Sequence, residues 1–277
     1  MFKKKDKYGV GTGRLRKLRV LSAIIVGCCV LFINTAGVAA NGSVNAESEK
    51  KPEPIAEGEV SAALLAEVGT GRVVYEYNSE EKLPAAGLTR LAALVSVCKG
   101  FDEGRLKPGD AVSVSEKAAG IGGTTAFLKA GEQMDAETML LAAVMINAGD
   151  ATHSLALAAA GSESAAVQEI NACMAEIGVE TNFSEICGAG EKLSASELAK
   201  IGAALTASES YRKFGTKFYE KIEHNTGAGA TELANPNKLV KQYSGCIGVG
   251  TGSSTEAGYC GVFAAKRGNT AFIAVSY

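Results

Sequence analysis

Two β-rich runs open the body of this chain, three close it, and an alanine-rich helical stretch lies between them. That order restricts the fold more than any other feature. Ala62–Val68 and Arg72–Asn78 flank Gly69-Thr70-Gly71 and read as a hairpin. Apolar residues at helical spacing then predict helices over Leu88–Phe101, Ala136–Ile146, Ala151–Ala160, Ser164–Ile177 and Ser194–Thr206. Strand patterns return over Cys246–Thr251, Gly258–Lys266 and Thr270–Ser276. A sheet must bury one face and a helix one stripe. The expected fold class is therefore α/β, with one antiparallel sheet made from both chain ends and a helical subdomain inserted between them. The 277 residues, 47% of them hydrophobic, suffice for one such core.

The net charge of −2 hides an asymmetry. Residues 1–19 hold eight of the 28 Lys and Arg against one acid, Asp6, which leaves the rest of the chain with 20 basic and 29 acidic residues. An acidic body excludes a phosphate-backbone partner, because nucleic-acid affinity comes from clustered cations.

The basic start leads into fourteen uncharged residues, Val20–Ile33, and a small-residue exit at Val38-Ala39-Ala40 or Val44-Asn45-Ala46. This pattern is a secretory signal if cleaved and an N-terminal membrane anchor if not, since Val20–Ala40 is long enough to span a bilayer. Both readings put the body outside the cytoplasm, at the outer face of the cell membrane, in the cell wall or secreted. The expected organisation is a leader or anchor over 1–40, a polar, proline-bearing linker over 41–57 and a domain over 58–277.

Five cysteines follow the apolar segment: Cys98, Cys173, Cys187, Cys246 and Cys260. Their irregular spacing fits small buried apolar residues, with room for one disulfide that the sequence does not choose. His153 and His224 lack metal-ligand spacing, so no metal and no cofactor is expected.

The stretch Thr70-Gly71-Arg72-Val73-Val74-Tyr75-Glu76-Tyr77-Asn78, followed by Glu81 through Leu91, resembles the D-alanyl-D-alanine carboxypeptidases. These are low-molecular-mass penicillin-binding proteins that trim peptidoglycan stem peptides. The likeness continues through Val112–Ala119, Gly122-Gly123-Thr124-Thr125, Leu128–Glu132, Asn235–Leu239 and Ala257-Gly258-Tyr259-Cys260. It implies the penicillin-binding-protein/β-lactamase-like transpeptidase fold. It also implies a terminal helix, a small β-domain and an amphipathic anchor; the sequence closes at Tyr277, which leaves the N-terminal segment as the visible anchor.

The resemblance further implies three catalytic motifs. Ser-x-x-Lys places a hydroxyl and an activating amine one turn apart. Here the serine position is Gly87 and the lysine position is Arg90. Glycine carries no nucleophile, and a guanidinium stays protonated. Thr89 lies about 200° around the helix from position 87. Ser-x-Asn falls on Asn147-Ala148-Gly149, which keeps a hydrogen-bonding side chain and loses an amide. Lys-Thr-Gly falls on Gly250-Thr251-Gly252, which keeps the hydroxyl and loses the charge.

Changes at Gly87, Arg90, Asn147, Gly149 and Gly250 across all three motifs describe a pseudoenzyme, since losing the nucleophile alone costs on the order of 10⁴–10⁶ in turnover. The expected function is binding of peptidoglycan stem peptide or an envelope protein, with Arg90, Asn147 and Thr251 as residual ligand-binding residues. Two alternatives stay open. One is an active hydrolase working through Thr124, Thr125, Ser253 or Ser254. The other is a purely structural wall-assembly or sporulation component.

Overall fold

The computed structural model describes residues 60–188, 190–227 and 229–277. The leader over 1–40 and the linker over 41–57 lie outside the described residues. Eleven strands are described: β1 (Ala63–Glu67), β2 (Val73–Tyr77), β3 (Leu83–Pro84), β4 (Ala111–Ser113), β5 (Gln133–Asp135), β6 (Lys192–Leu193), β7 (Tyr219–Glu223), β8 (Ala230–Ala234), β9 (Cys246–Ser254), β10 (Gly258–Arg267) and β11 (Thr270–Ser276). The helices are α1 (Arg90–Asp102), α2 (Glu116–Ala119), α3 (Ala136–Ile146), α4 (Gly149–Ala160), α5 (Glu163–Glu176), α6 (Ala195–Ala207), α7 (Glu209–Arg212) and α8 (Leu239–Gln242).

Both chain ends build one five-stranded antiparallel sheet in the order β2-β1-β11-β10-β9, as the sequence pattern predicts. The period-2 alternation of β1, β10 and β11 fixes the register. Leu64, Val275 and Val262 stand side by side in one buried row, and Ala66, Ile273 and Ala264 in the next. Helix α6 lies on this face. A Cβ at Gly202 would come within 2.4 Å of Ile273 Cδ1, so glycine is what lets the helix approach the sheet so closely.

The inserted helices pack around α1, whose Leu91, Leu94 and Val97 are buried against the sheet side and against α4, α5 and α6. Each such leucine contributes about 1.5–3 kcal/mol by leaving water. Side chains cap several of the helices. Asp135 accepts from Thr138 N at 2.9 Å to start α3, Ser162 caps α5, and Ser194 with Glu197 forms a capping box on α6. Asn147, at φ 55°, ends α3 in the left-handed region and turns the chain directly into α4.

Several elements depart from the sequence reading. The helix expected from Leu88 begins as a 3₁₀ turn over Ala86–Thr89, and α1 proper starts at Arg90. Strand β9 runs to Ser254 instead of Thr251, because Gly252, Ser253 and Ser254 pair with Cys260, Tyr259 and Gly258. The hairpin of β7 and β8 was not expected. All five described cysteines are free thiols, so the room left for one disulfide is not used; Cys98, Cys173, Cys246 and Cys260 are buried, as their reading as small apolar residues predicts, and Cys187 is half-buried.

Candidate functional site

A cleft of about 490 Å³ opens where the 3₁₀ turn, the α3–α4 junction, the 121–128 loop and strands β9 and β10 meet. Gly87, Arg90, Asn147, Thr251 and Gly252 all line it, so five of the seven motif positions converge there. Gly149 and Gly250 are not in the lining, and the geometry of each explains why.

Gly87 presents an open position. A Cβ there would find only Asn147 Nδ2, at 3.7 Å. Asn147 is buried, and its Nδ2 donates to Gly87 O at 2.6 Å while its Oδ1 has no partner. The asparagine thus braces the turn where the resemblance places the serine of the first motif. Thr89 points away, as the helical angle predicts: its hydroxyl donates to Ala86 O at 3.2 Å and to Cys187 O at 3.1 Å.

Arg90 is only 9% exposed, and its guanidinium is held by main-chain oxygens. Nη1 donates to Thr124 O at 3.0 Å and to Asn147 O at 3.3 Å, and Nη2 donates to Gly122 O at 2.5 Å. Three of five N–H groups are therefore engaged, and Nε–H and one Nη2–H remain. Gly149 makes room for this arrangement. A Cβ at 149 would stand 2.7 Å from Ile121 Cγ2 and 3.0 Å from Arg90 Cζ. Gly149 N in turn donates to Thr124 O at 2.9 Å.

Gly250 faces the core, where a Cβ would meet Leu91 Cδ2 at 3.4 Å and Leu88 Cδ2 at 3.5 Å. A lysine there would have to thread between two leucines. Thr251 faces the cleft and Gly252 packs against the 3₁₀ turn.

Asp150 sets the opposite wall. Buried at the start of α4, its carboxylate accepts from Ala126 N at 2.9 and 3.0 Å, from Leu128 N at 3.0 Å and from Ala151 N at 2.8 Å. The 121–128 loop is therefore clamped by charge-assisted hydrogen bonds. The sequence reading assigned Asp150 no role, although a lone acid inside an apolar helical run signals a buried acceptor. A second brace joins the 129–132 turn to the β7–β8 arm: His224 Nδ1 lies 2.8 Å from Glu132 Oε1, and Nε2 lies 2.8 Å from Thr231 Oγ1. Pro236, just past β8, lines the cleft.

Tyr259, Cys260 and Phe263 of β10 also line the cleft, and no role was read for them from sequence. Burial pushes the Cys260 thiol up to about 11, so it is not a thiolate nucleophile at neutral pH. His153, the other histidine, lies buried on α4 with Nε2 2.9 Å from Glu163 Oε1. Among the described residues no three His, Cys, Asp or Glu side chains are grouped to hold a metal ion.

The profile of the D-alanyl-D-alanine carboxypeptidase family matches residues 46–277. The chain belongs to this family. The carboxypeptidase-family sequence is 33% identical over 263 residues to D-alanyl-D-alanine carboxypeptidase DacF of Bacillus subtilis, covering 94% of this chain and 66% of that protein. Across the curated relatives it matches, this carboxypeptidase-like chain spans 55–66% of their length. Its fold is similar to D-alanyl-D-alanine carboxypeptidase DacD of Francisella tularensis, with a TM-score of 0.71 at 21% identity over 86% of this chain and 70% of that one. It is also similar to penicillin binding protein 5 of Haemophilus influenzae, with a TM-score of 0.70 at 22% identity over 78% of this chain and 64% of that one. The penicillin-binding-protein fold expected from the sequence is the fold observed.

Proposed function

We propose that this member of the carboxypeptidase family is catalytically degenerate and binds the D-alanyl end of peptidoglycan peptides in the cell envelope. One observation carries the reading: at the positions where the family places serine and lysine, Gly87 offers no atom beyond Cα and Arg90 is anchored to three main-chain carbonyls. A guanidinium held in that way cannot take a proton from a hydroxyl. The cleft-lining hydroxyls of Thr124 and Ser253, and those of Thr125 and Ser254 beside them in the sequence, have no lysine or histidine partner among the described residues.

What remains suits recognition. Arg90 keeps a positive charge at the cleft floor and two N–H groups without a carbonyl, and Thr251 keeps a hydroxyl on the strand facing it. A guanidinium pairs with a peptide carboxylate in a forked geometry. Strand β9 is the sheet edge at the cleft, so its outer main chain is open to an extended peptide. The N-terminal basic and apolar segment, with the family's place in wall metabolism, supports export to the envelope.

The test is an NMR titration of the protein with D-alanyl-D-alanine-ended peptide. Weak reversible binding is expected, with a Kd on the order of 1 mM, about 4 kcal/mol. Shifts should concentrate around Arg90 and Thr251. No shifts there at tens of millimolar peptide would mean that the cleft is vestigial and the protein acts through another surface.

A further inference from the structure

The five-stranded sheet has a second face, which α6 does not cover. Leu64, Val262 and Val275 point into the core, so by alternation Leu65, Phe263 and Ala274 stand in a row on the other side. Phe272 and Ala265 form the next row. Leu239 of α8 and Tyr243 just after it wall this layer and leave a groove of about 220 Å³. Leu65, Phe263 and Phe272 are half-buried, while Leu239 and Tyr243 are 37% and 47% exposed.

The lining decides what can lie in the groove. Its side chains are aliphatic, aromatic or the Cys246 thiol, and that thiol is turned to Gly248 O at 3.8 Å. Strands β10 and β11 are each paired on both sides, so their main chain offers no open edge there. An extended peptide would leave its own N–H and C=O groups unpaired against this surface, at a cost for every residue. An alkyl chain brings no such groups and gains from each methylene that leaves water.

The groove mouth is cationic. Arg267 Cζ lies 5.1 Å from the centre of the Tyr243 ring, and Lys238 directly precedes Leu239. Residues 236–277 carry four basic side chains, Lys238, Lys241, Lys266 and Arg267, against one acid, Glu256, although the body as a whole is acidic. All four are exposed, and none is in an ion pair among the described residues. An anionic head at the mouth complements these charges. A second copy seated symmetrically on the same face would instead bring a second set of like charges.

We infer that this groove is a lipid-docking site, which takes one acyl chain of an anionic bilayer lipid while the headgroup pairs with Arg267 and Lys238. The site lies on the outer face of the sheet and is independent of what the cleft binds.

The experiment places the full-length chain in phosphatidylcholine nanodiscs that contain a trace of photoreactive lipid, with a diazirine on its acyl chain. One arm carries that chain on phosphatidylglycerol, the other on phosphatidylcholine, and labelled peptides are mapped by mass spectrometry after illumination. Peptides bearing Leu65, Tyr243 and Phe272 should be labelled, about fivefold more strongly from the anionic lipid, which is what one engaged cation contributes. Arg267→Gln should remove most of that preference. Ala274→Phe should fill the groove and abolish the label there; Arg267→Gln, at an exposed position, keeps the test decisive if Ala274→Phe does not fold. Equal labelling from both heads, or labelling that neither variant changes, overturns the site. A groove labelled by the photoreactive free fatty acid but not from the nanodisc overturns the bilayer as its source. An unlabelled groove in nanodiscs that each hold two chains would assign the face to a second copy and also overturn it.

Discussion

Arg90 and Gly149 interlock: a Cβ on residue 149 would stand 3.0 Å from Arg90 Cζ and 3.1 Å from its Nε. Two motif positions that look like separate losses in the sequence are thus one packing unit. The guanidinium occupies the room that the side chain at 149 would need.

Gly149→Asn alone should therefore destabilise the protein by about 1–3 kcal/mol through overpacking against Arg90 and Ile121. Paired with Arg90→Lys, the same change should cost less than the two single changes summed, because lysine removes the planar head that blocks the site. Urea unfolding of the four proteins measures this. Strict additivity would contradict the interlock.

Removing the head altogether should be worse. Arg90→Met takes this donor from the carbonyls of Gly122 and Asn147, at roughly 1–3 kcal/mol for each one left buried and unpaired, while Thr124 O keeps its bond from Gly149 N. A total loss of about 2–4 kcal/mol in urea unfolding is expected, since relaxation and water recover part of it. A change within about 0.5 kcal/mol, the range of ordinary surface substitutions, would show that Arg90 does not hold the cleft walls together.

Asp150→Asn replaces a carboxylate that accepts from Ala126, Leu128 and Ala151 amides with a group that has one acceptor oxygen. Amide hydrogen exchange at Ala126 and Leu128 should accelerate strongly while core amides in α1 change little. Unchanged protection at those two amides would mean that the loop is held by something else.

Acid should weaken the fold in two steps. Burial lowers His153 below its ordinary value, with neighbouring Glu163 opposing, so the folded protein resists protonation that the unfolded chain accepts below about 6.5. Burial alone would raise Glu197, but hydrogen bonds from Lys82, Ser194 N and Thr181 outweigh it and hold its carboxyl below the ordinary 4.5. Both folded values are depressed, so each group's contribution is present above its unfolded value and lost as pH falls through the folded one. Urea midpoints should decline first below pH 6.5 and again below 4.5. Glu197→Gln should flatten only the second decline, and a curve parallel to wild type would contradict the assignment.

Much of this architecture is legible in the sequence where local pattern and tertiary demand agree. Helix α3 spans Ala136–Ile146 and β11 spans Thr270–Ser276 as predicted: α3 is an apolar run of helical length buried on nearly all sides, and β11 is an apolar, β-branched run whose Ile273 and Val275 enter the core. The end of β9 was not legible, since Gly252, Ser253 and Ser254 have weak strand preference and are held by pairing with β10. The β7–β8 arm was missed because its Tyr219–Glu223 strand buries only Ile222 deeply. At the site, the motif positions could be assigned from residues alone. The role of Arg90 could not, because its acceptors at Gly122 and Thr124 lie more than thirty residues away.

The central claim is that this carboxypeptidase-family chain has no acylating nucleophile. Intact-mass spectrometry of the purified protein after incubation with benzylpenicillin tests it most directly, because acylation adds the whole antibiotic as a covalent adduct. Gly87 and Arg90 predict an unchanged mass. Stoichiometric acylation at any residue would contradict the account.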